Sequence, residues 1–197
     1  IPLIVQDRII DGSGQLIYPS GMQARMMGVR GNRIYVNGTE DAVFDAATGQ
    51  LRLRLLNGSN ARFYDFSLEG GGPMQLIASD GGLLDRPHPV RSLRLAPGER
   101  AQIILDLAEG RPLRLIASSP DNMMGMMGGQ GRGMMGGGMM GRGNDGDPSD
   151  GVFRILDIRP ADTARSVRLP AELAPLGVPD PSLAVRTRRF VIDMGMM

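Results

Sequence analysis

Four methionine pairs separated mainly by glycine carry the most chemistry in this sequence: Met123-Met124, Met126-Met127, Met134-Met135 and Met139-Met140. Methionine usually fills gaps in apolar cores, but these residues show no helical or strand period and have no apolar company. Their thioethers are soft, neutral donors that suit Cu(I) and discriminate against hard ions. They need no deprotonation, so metal capture by them depends less on pH than capture by thiolate or imidazole. Intervening glycines let the backbone fold around an ion that takes several sulfurs. Two bland readings stand beside this one: a flexible loop, and a loop that scavenges oxidants through its sulfurs.

The remaining reactive residues exclude more than they suggest. There is no cysteine, hence no disulfide, thiolate metal site or cysteine nucleophile. The single histidine, His88, lies between Pro87 and Pro89 and reads as an exposed loop side chain. One histidine cannot build an imidazole-based zinc or copper centre, nor a hydrolase triad. Net charge is +1, so no global field points to nucleic acid or an anionic membrane. The Arg-Gly stretches around Arg132 and Arg142 lack aromatic residues for base stacking. No apolar run of about 18 residues is present to span a membrane. Met22, Met26 and Met27 read as packing residues before a satellite copper patch. Arg52, Arg54 and Arg62 read as a solvated or inter-domain face, and Asp80 as a turn cap.

Short strands must position these groups. With 29 glycines and 14 prolines in 197 residues, the chain favours strands and turns over long helices. Strands are expected at 3–7, 33–36, 51–55, 63–68, 74–78, 92–95, 101–107, 113–117, 152–158 and 189–192. Turn signals lie between them at Asp11 to Gly14, Asn37-Gly38 and Asn57-Gly58. Leu51-Arg52-Leu53-Arg54-Leu55 alternates with period two, the mark of a strand with one buried and one wet face. This rhythm indicates an all-β sandwich or barrel. Residues 1–159 form the expected domain, interrupted by a Gly/Met-rich insertion at 119–151 that has acidic edges and is expected to be disordered. Residues 160–188 read as a connector, and 189–197 as the start of a link to a further domain. The opening Ile1-Pro2-Leu3-Ile4-Val5 has no signal-peptide character and reads as a strand cut from something longer.

Five strings occur together in order: Ile1 to Arg8, the Asn37-Gly38 turn, Leu51 to Arg62 (LRLRLLNGSNAR), Ile77 to Leu84 (IASDGGLL) and Ala96 to Arg100 (APGER). Together they resemble the second, middle domain of multicopper oxidases, especially the bacterial cuprous-oxidase and laccase-like branch. The resemblance covers roughly residues 1–118 and 152–193. It implies a Greek-key β-sandwich of cupredoxin type, flanked in a parent chain by first and third cupredoxin domains. Those neighbours would hold the mononuclear and trinuclear copper centres through His-x-His and His-Cys-His stretches, which this chain lacks.

The parent, by this resemblance, oxidises Cu(I) and phenolic compounds with reduction of dioxygen to water, and serves copper tolerance as a periplasmic or exported protein. This chain would contribute scaffold and Cu(I) recruitment and no catalytic residue. Met194, with Met196 and Met197, resembles the beginning of the family's second methionine-rich segment. Eighteen Gly-rich residues span about 23 Å, against a radius of gyration of about 13 Å for a compact domain of this size. The insertion can thus reach a neighbouring domain's copper. The alternatives are a stand-alone Cu(I)-sequestering protein and a purely structural domain.

Overall fold

The computed structural model describes residues 1–119, 151–161, 168–175, 177 and 179–191. The methionines at 123–140 and at 194, 196 and 197 lie outside them. Twelve strands form two sheets among the described residues.

The first sheet contains β1 (Pro2–Ile10), β2 (Leu16–Ile17), β3 (Arg33–Val36), β5 (Gln50–Asn57), β7 (Met74–Ser79), β8 (Gly82–Val90) and β10 (Arg100–Asp106). The second contains β4 (Val43–Ala46), β6 (Tyr64–Leu68), β9 (Ser92–Leu95), β11 (Leu113–Ser118) and β12 (Val152–Pro160). From β3 onward the chain crosses repeatedly between the sheets, so most pairings join distant segments. β1 runs parallel to β5, and β4 parallel to β12.

Period-two patterning places the core. Leu51, Leu53 and Leu55 of β5 point inward with Ala101, Ile103 and Leu105 of the paired β10. They meet Tyr64, Phe66, Leu115, Ile155 and Ile158 from the second sheet in one buried cluster. A one-residue slip in either strand would send all of these side chains to the surface.

Two turns form as their residues require. Asp11 accepts hydrogen bonds from the backbone N–H groups of Ser13 and Gln15 and closes the β1–β2 hairpin. Asn37 and Gly38 both take positive φ, 50° and 82°, and bring Val36 N–H onto Thr39 O. The Asn37 carboxamide then accepts from Ile4 N–H and donates to Pro2 O, fastening the turn to β1.

Four expectations are corrected. Arg62 does not lie on a solvated face: it is fully buried. His88 sits in strand β8 and not in a loop, because an edge strand tolerates Pro87 and Pro89 where their missing N–H groups face no partner. Residues 189–191 form no strand. A short helix, α1 (Met22–Met27), and the strands β2 and β4 complete the fold where no strong pattern marks them.

The buried Arg62 donates from Nε to Asp7 Oδ2 at 2.9 Å and from Nη2 to Gly31 O at 2.8 Å. Its guanidinium lies over the Phe153 ring, 4.9 Å from the centroid. Gly31 N–H donates to the same Asp7 oxygen. Replacing Arg62 with Met should cost about 3–5 kcal/mol of stability, since it strands a buried carboxylate. Urea denaturation measures this, and a double Asp7→Leu/Arg62→Met variant should recover part of the loss.

Candidate functional site

Polar chemistry in the described residues falls into three places, and none is a preformed metal cluster. No group of three or more His, Asp or Glu side chains converges there. His88, the single imidazole, places Nε2 3.0 Å from Asp85 Oδ1 on the exposed edge strand β8. That hydrogen bond holds the Asp85 carboxyl below its ordinary range. Asp80 follows β7 as expected, yet it reaches beyond its own turn. It accepts from Arg100 Nε at 2.6 Å and from Arg100 N–H at 3.1 Å, which lowers its pKa.

The second place is the buried polar network around the loop from Asn57 to Arg62. The Asn57 carboxamide donates to Arg62 O and Leu95 O and accepts from Ser59 N–H. Ser59 Oγ accepts from Asp7 N–H and lies 2.9 Å from Tyr64 Oη. Burial, reinforced by the nearby Asp7 carboxylate, pushes the Tyr64 phenol well above its ordinary range. The enclosed Tyr64 phenol, hydrogen-bonded to Ser59, helps to fix the loop.

The outward faces of the two sheets are the third place, and they differ. On the second sheet, charge is paired with charge. Arg94 forks onto Asp65 at 2.7 and 2.8 Å, and Arg114 bridges Asp157 and Glu69 while Arg154 also reaches Asp157. On the first sheet, Ile4, Leu56 and Ile104 stand among Arg52, Arg54 and Gln102. Ile4 is 39% exposed, and the Arg52 guanidinium is held by the Gln102 carboxamide at 2.9 Å. The second sheet's face sets these ion pairs beside the exposed Val43 and Val152, whereas the first sets part-exposed branched side chains between long basic ones.

The sequence-derived metal residues are not brought together here. Met123, Met124, Met126, Met127, Met134, Met135, Met139, Met140, Met194, Met196 and Met197 all lie outside the described residues. The insertion does have a defined root, because Ser118 of β11 pairs with Val152 of β12 in the second sheet. Met22 and Met26 are not packing residues: they are 78% and 77% exposed.

The pattern of the multicopper oxidase family matches residues 17–113. A laccase-like multicopper oxidase, CueO, from the lignin-degrading Ochrobactrum sp. superposes with a TM-score of 0.70 at 25% identity, over 94% of this chain and 36% of that one. Residues 17–113, just under half of the chain, thus carry a multicopper oxidase domain. McoA, a multicopper oxidase from Aquifex aeolicus, is similar with a TM-score of 0.68 and 28% identity, over 93% of this chain and 36% of its own. The sandwich is therefore cupredoxin-like. Among curated proteins, cell division protein FtsP of Proteus mirabilis is 40% identical over 128 residues, 65% of this chain and 27% of that protein. The FtsP of Sodalis glossinidius is 38% identical over 123 residues, covering 62% and 25% respectively. The chain thus spans about a quarter of these relatives and about a third of the structural neighbours.

Copper is the family's metal, and the residues of this chain do not fit the family's resident centres. One histidine and no cysteine cannot supply His-x-His pairs or a His-Cys-His stretch.

The paired carboxylates give the domain a defined acid response. Hydrogen bonds from Arg114 and Arg154 hold Asp157 below its ordinary value, as Arg100 does for Asp80. Their contribution to stability is complete above the unfolded pKa of about 3.9. It is lost as pH falls through the lower folded values. Urea midpoints measured between about pH 2 and 5 should fall with acid, and Asp157→Asn should flatten that dependence.

Proposed function

We propose that this chain is the middle, copper-ligand-poor domain of an exported protein that oxidises Cu(I), and phenolic compounds with it, while dioxygen is reduced to water. In this reading the sandwich spaces and supports first and third cupredoxin domains that hold the copper centres. The methionine-rich segment collects Cu(I) and brings it to them. The observation that carries the proposal is a cupredoxin-type scaffold without copper-centre ligands that nonetheless carries four methionine pairs, rooted between β11 and β12.

Coordination chemistry supports the recruiting role. Thioethers favour Cu(I) over Cu(II), so an oxidised product ion would be released by the ligands that captured its precursor. Met194, with Met196 and Met197, extends the same donor type beyond the connector. In this reading the first sheet's outward face, with Ile4, Leu56 and Ile104 between arginines, meets a flanking domain, because covering these part-exposed apolar side chains rewards contact. A periplasmic place and a part in copper tolerance follow from the same reading.

The FtsP relatives favour a second reading, in which a cupredoxin-type scaffold serves cell division without copper chemistry. The 40% identity to the Proteus mirabilis protein is the specific observation behind it. Phenol oxidation adds no residue of its own here, so the cuprous ion separates the two readings.

An anaerobic Cu(I) competition titration tests the proposal, using this chain beside a version in which the eight methionines at 123–140 are serine. The expected result is binding that falls at least tenfold in affinity, with loss of stoichiometry, in the serine version. Equal and weak binding by both would remove the recruiting role and favour the division-protein reading.

A further inference from the structure

Helix α1 places two methionines where no packing explains them. Met22 and Met26 are 78% and 77% exposed, whereas Met74 is fully buried in the core. Methionine ordinarily goes inside or fills an irregular gap, and this pair does neither. Their i, i+4 spacing puts them on one helix face with Cβ atoms about 5–6 Å apart. Two flexible thioethers at that separation can close on a single soft ion from either side.

The residues that follow the helix are fixed against the sandwich. Immediately after α1, Gly28 adopts φ 75° and lies against Ala61, where an added Cβ would stand 2.4 Å from the Ala61 Cβ. Val29 N–H then donates to Asn60 Oδ1 at 2.9 Å. Both partners belong to the loop from Asn57 to Arg62, which the buried Asp7–Arg62 pair fixes in turn. The end of the helix that carries the methionine pair is therefore tied to a hydrogen-bonded loop of the domain, far in sequence from the methionine-rich segment.

We propose that Met22 and Met26 form a two-thioether site for a soft monovalent cation, Cu(I) or its analogue Ag(I), distinct from the segment at 123–140. The site extends the cuprous-ion reading to a second location, and it stands or falls separately from it. Both ligands are neutral and carry no proton at any accessible pH, so occupancy is insensitive to pH between about 5 and 8. Softness supplies the selectivity: divalent hard ions gain nothing from uncharged sulfur.

The test is a titration of the full chain, carrying 13C-methyl methionine, with silver nitrate in chloride-free buffer under NMR observation. Met22→Leu and Met26→Leu variants assign the two resonances and keep the apolar bulk on an exposed helix. The expected result is that both ε-methyl signals move together and reach their plateau at the same silver equivalents. Met22→Leu should then abolish the Met26 response and leave the signals of 123–140 unchanged. Immobile Met22 and Met26 signals, or a Met26 response that survives Met22→Leu, would overturn the site. The signals from 123–140 report on the recruiting role independently. Silent segment signals beside a moving Met22–Met26 pair would overturn that role and keep this site.

Discussion

One buried ion pair sets the geometry on which the rest of the molecule depends. Asp7 arrives on β1 and Arg62 at the end of the loop after β5, and neither charge is exposed to water. Removing two charges from solvent is expensive, and the arrangement persists because several segments converge on it. Gly31 offers both its N–H to Asp7 and its carbonyl to Arg62. It must be glycine, since a Cβ would sit 2.2 Å from the Arg8 nitrogen. Phe153 of β12 covers the guanidinium, and Asn57 holds the loop closed against Leu95. One pair thus joins the first strand, the segment after α1, the central loop and the far sheet.

That rigidity explains where chemistry can reside. The interior is committed to leucine, isoleucine and aromatic packing, with Tyr64 kept neutral inside it. Among the described residues, the sandwich displays an outward face with apolar side chains between arginines and a helix with two exposed methionines. The chain spans about a third of its structural neighbours, and its one histidine and absent cysteine leave it without the donors of a copper centre built on imidazole and thiolate.

Much of the fold was legible because period two dominates. The leucines of β5, the alternation in β10 and β11, and the Asn37-Gly38 turn are local signals, and each produced the expected element. What failed to show was non-local. Nothing near Arg62 distinguishes it from Arg52 or Arg54, which do face outward; only Asp7, 55 residues earlier, makes its burial tolerable. Strand β8 was hidden by two prolines, which an edge position permits. Leu16-Ile17 and Val43 to Ala46 are too short for a pattern to declare itself. At the candidate site the methionines that the sequence names as donors lie outside the described residues, and packing was the simpler reading for Met22 and Met26. Their exposure is a tertiary property, settled by how Gly28 and Val29 meet Asn60 and Ala61.

The central claim is that cuprous ions meet this chain through thioether sulfur alone. X-ray absorption at the copper edge, on the full chain loaded anaerobically with Cu(I), tests it most directly. The account predicts an inner shell of sulfur only, unchanged when His88 is replaced by alanine. A shell dominated by nitrogen or oxygen, or one that loses a ligand with His88, would contradict it.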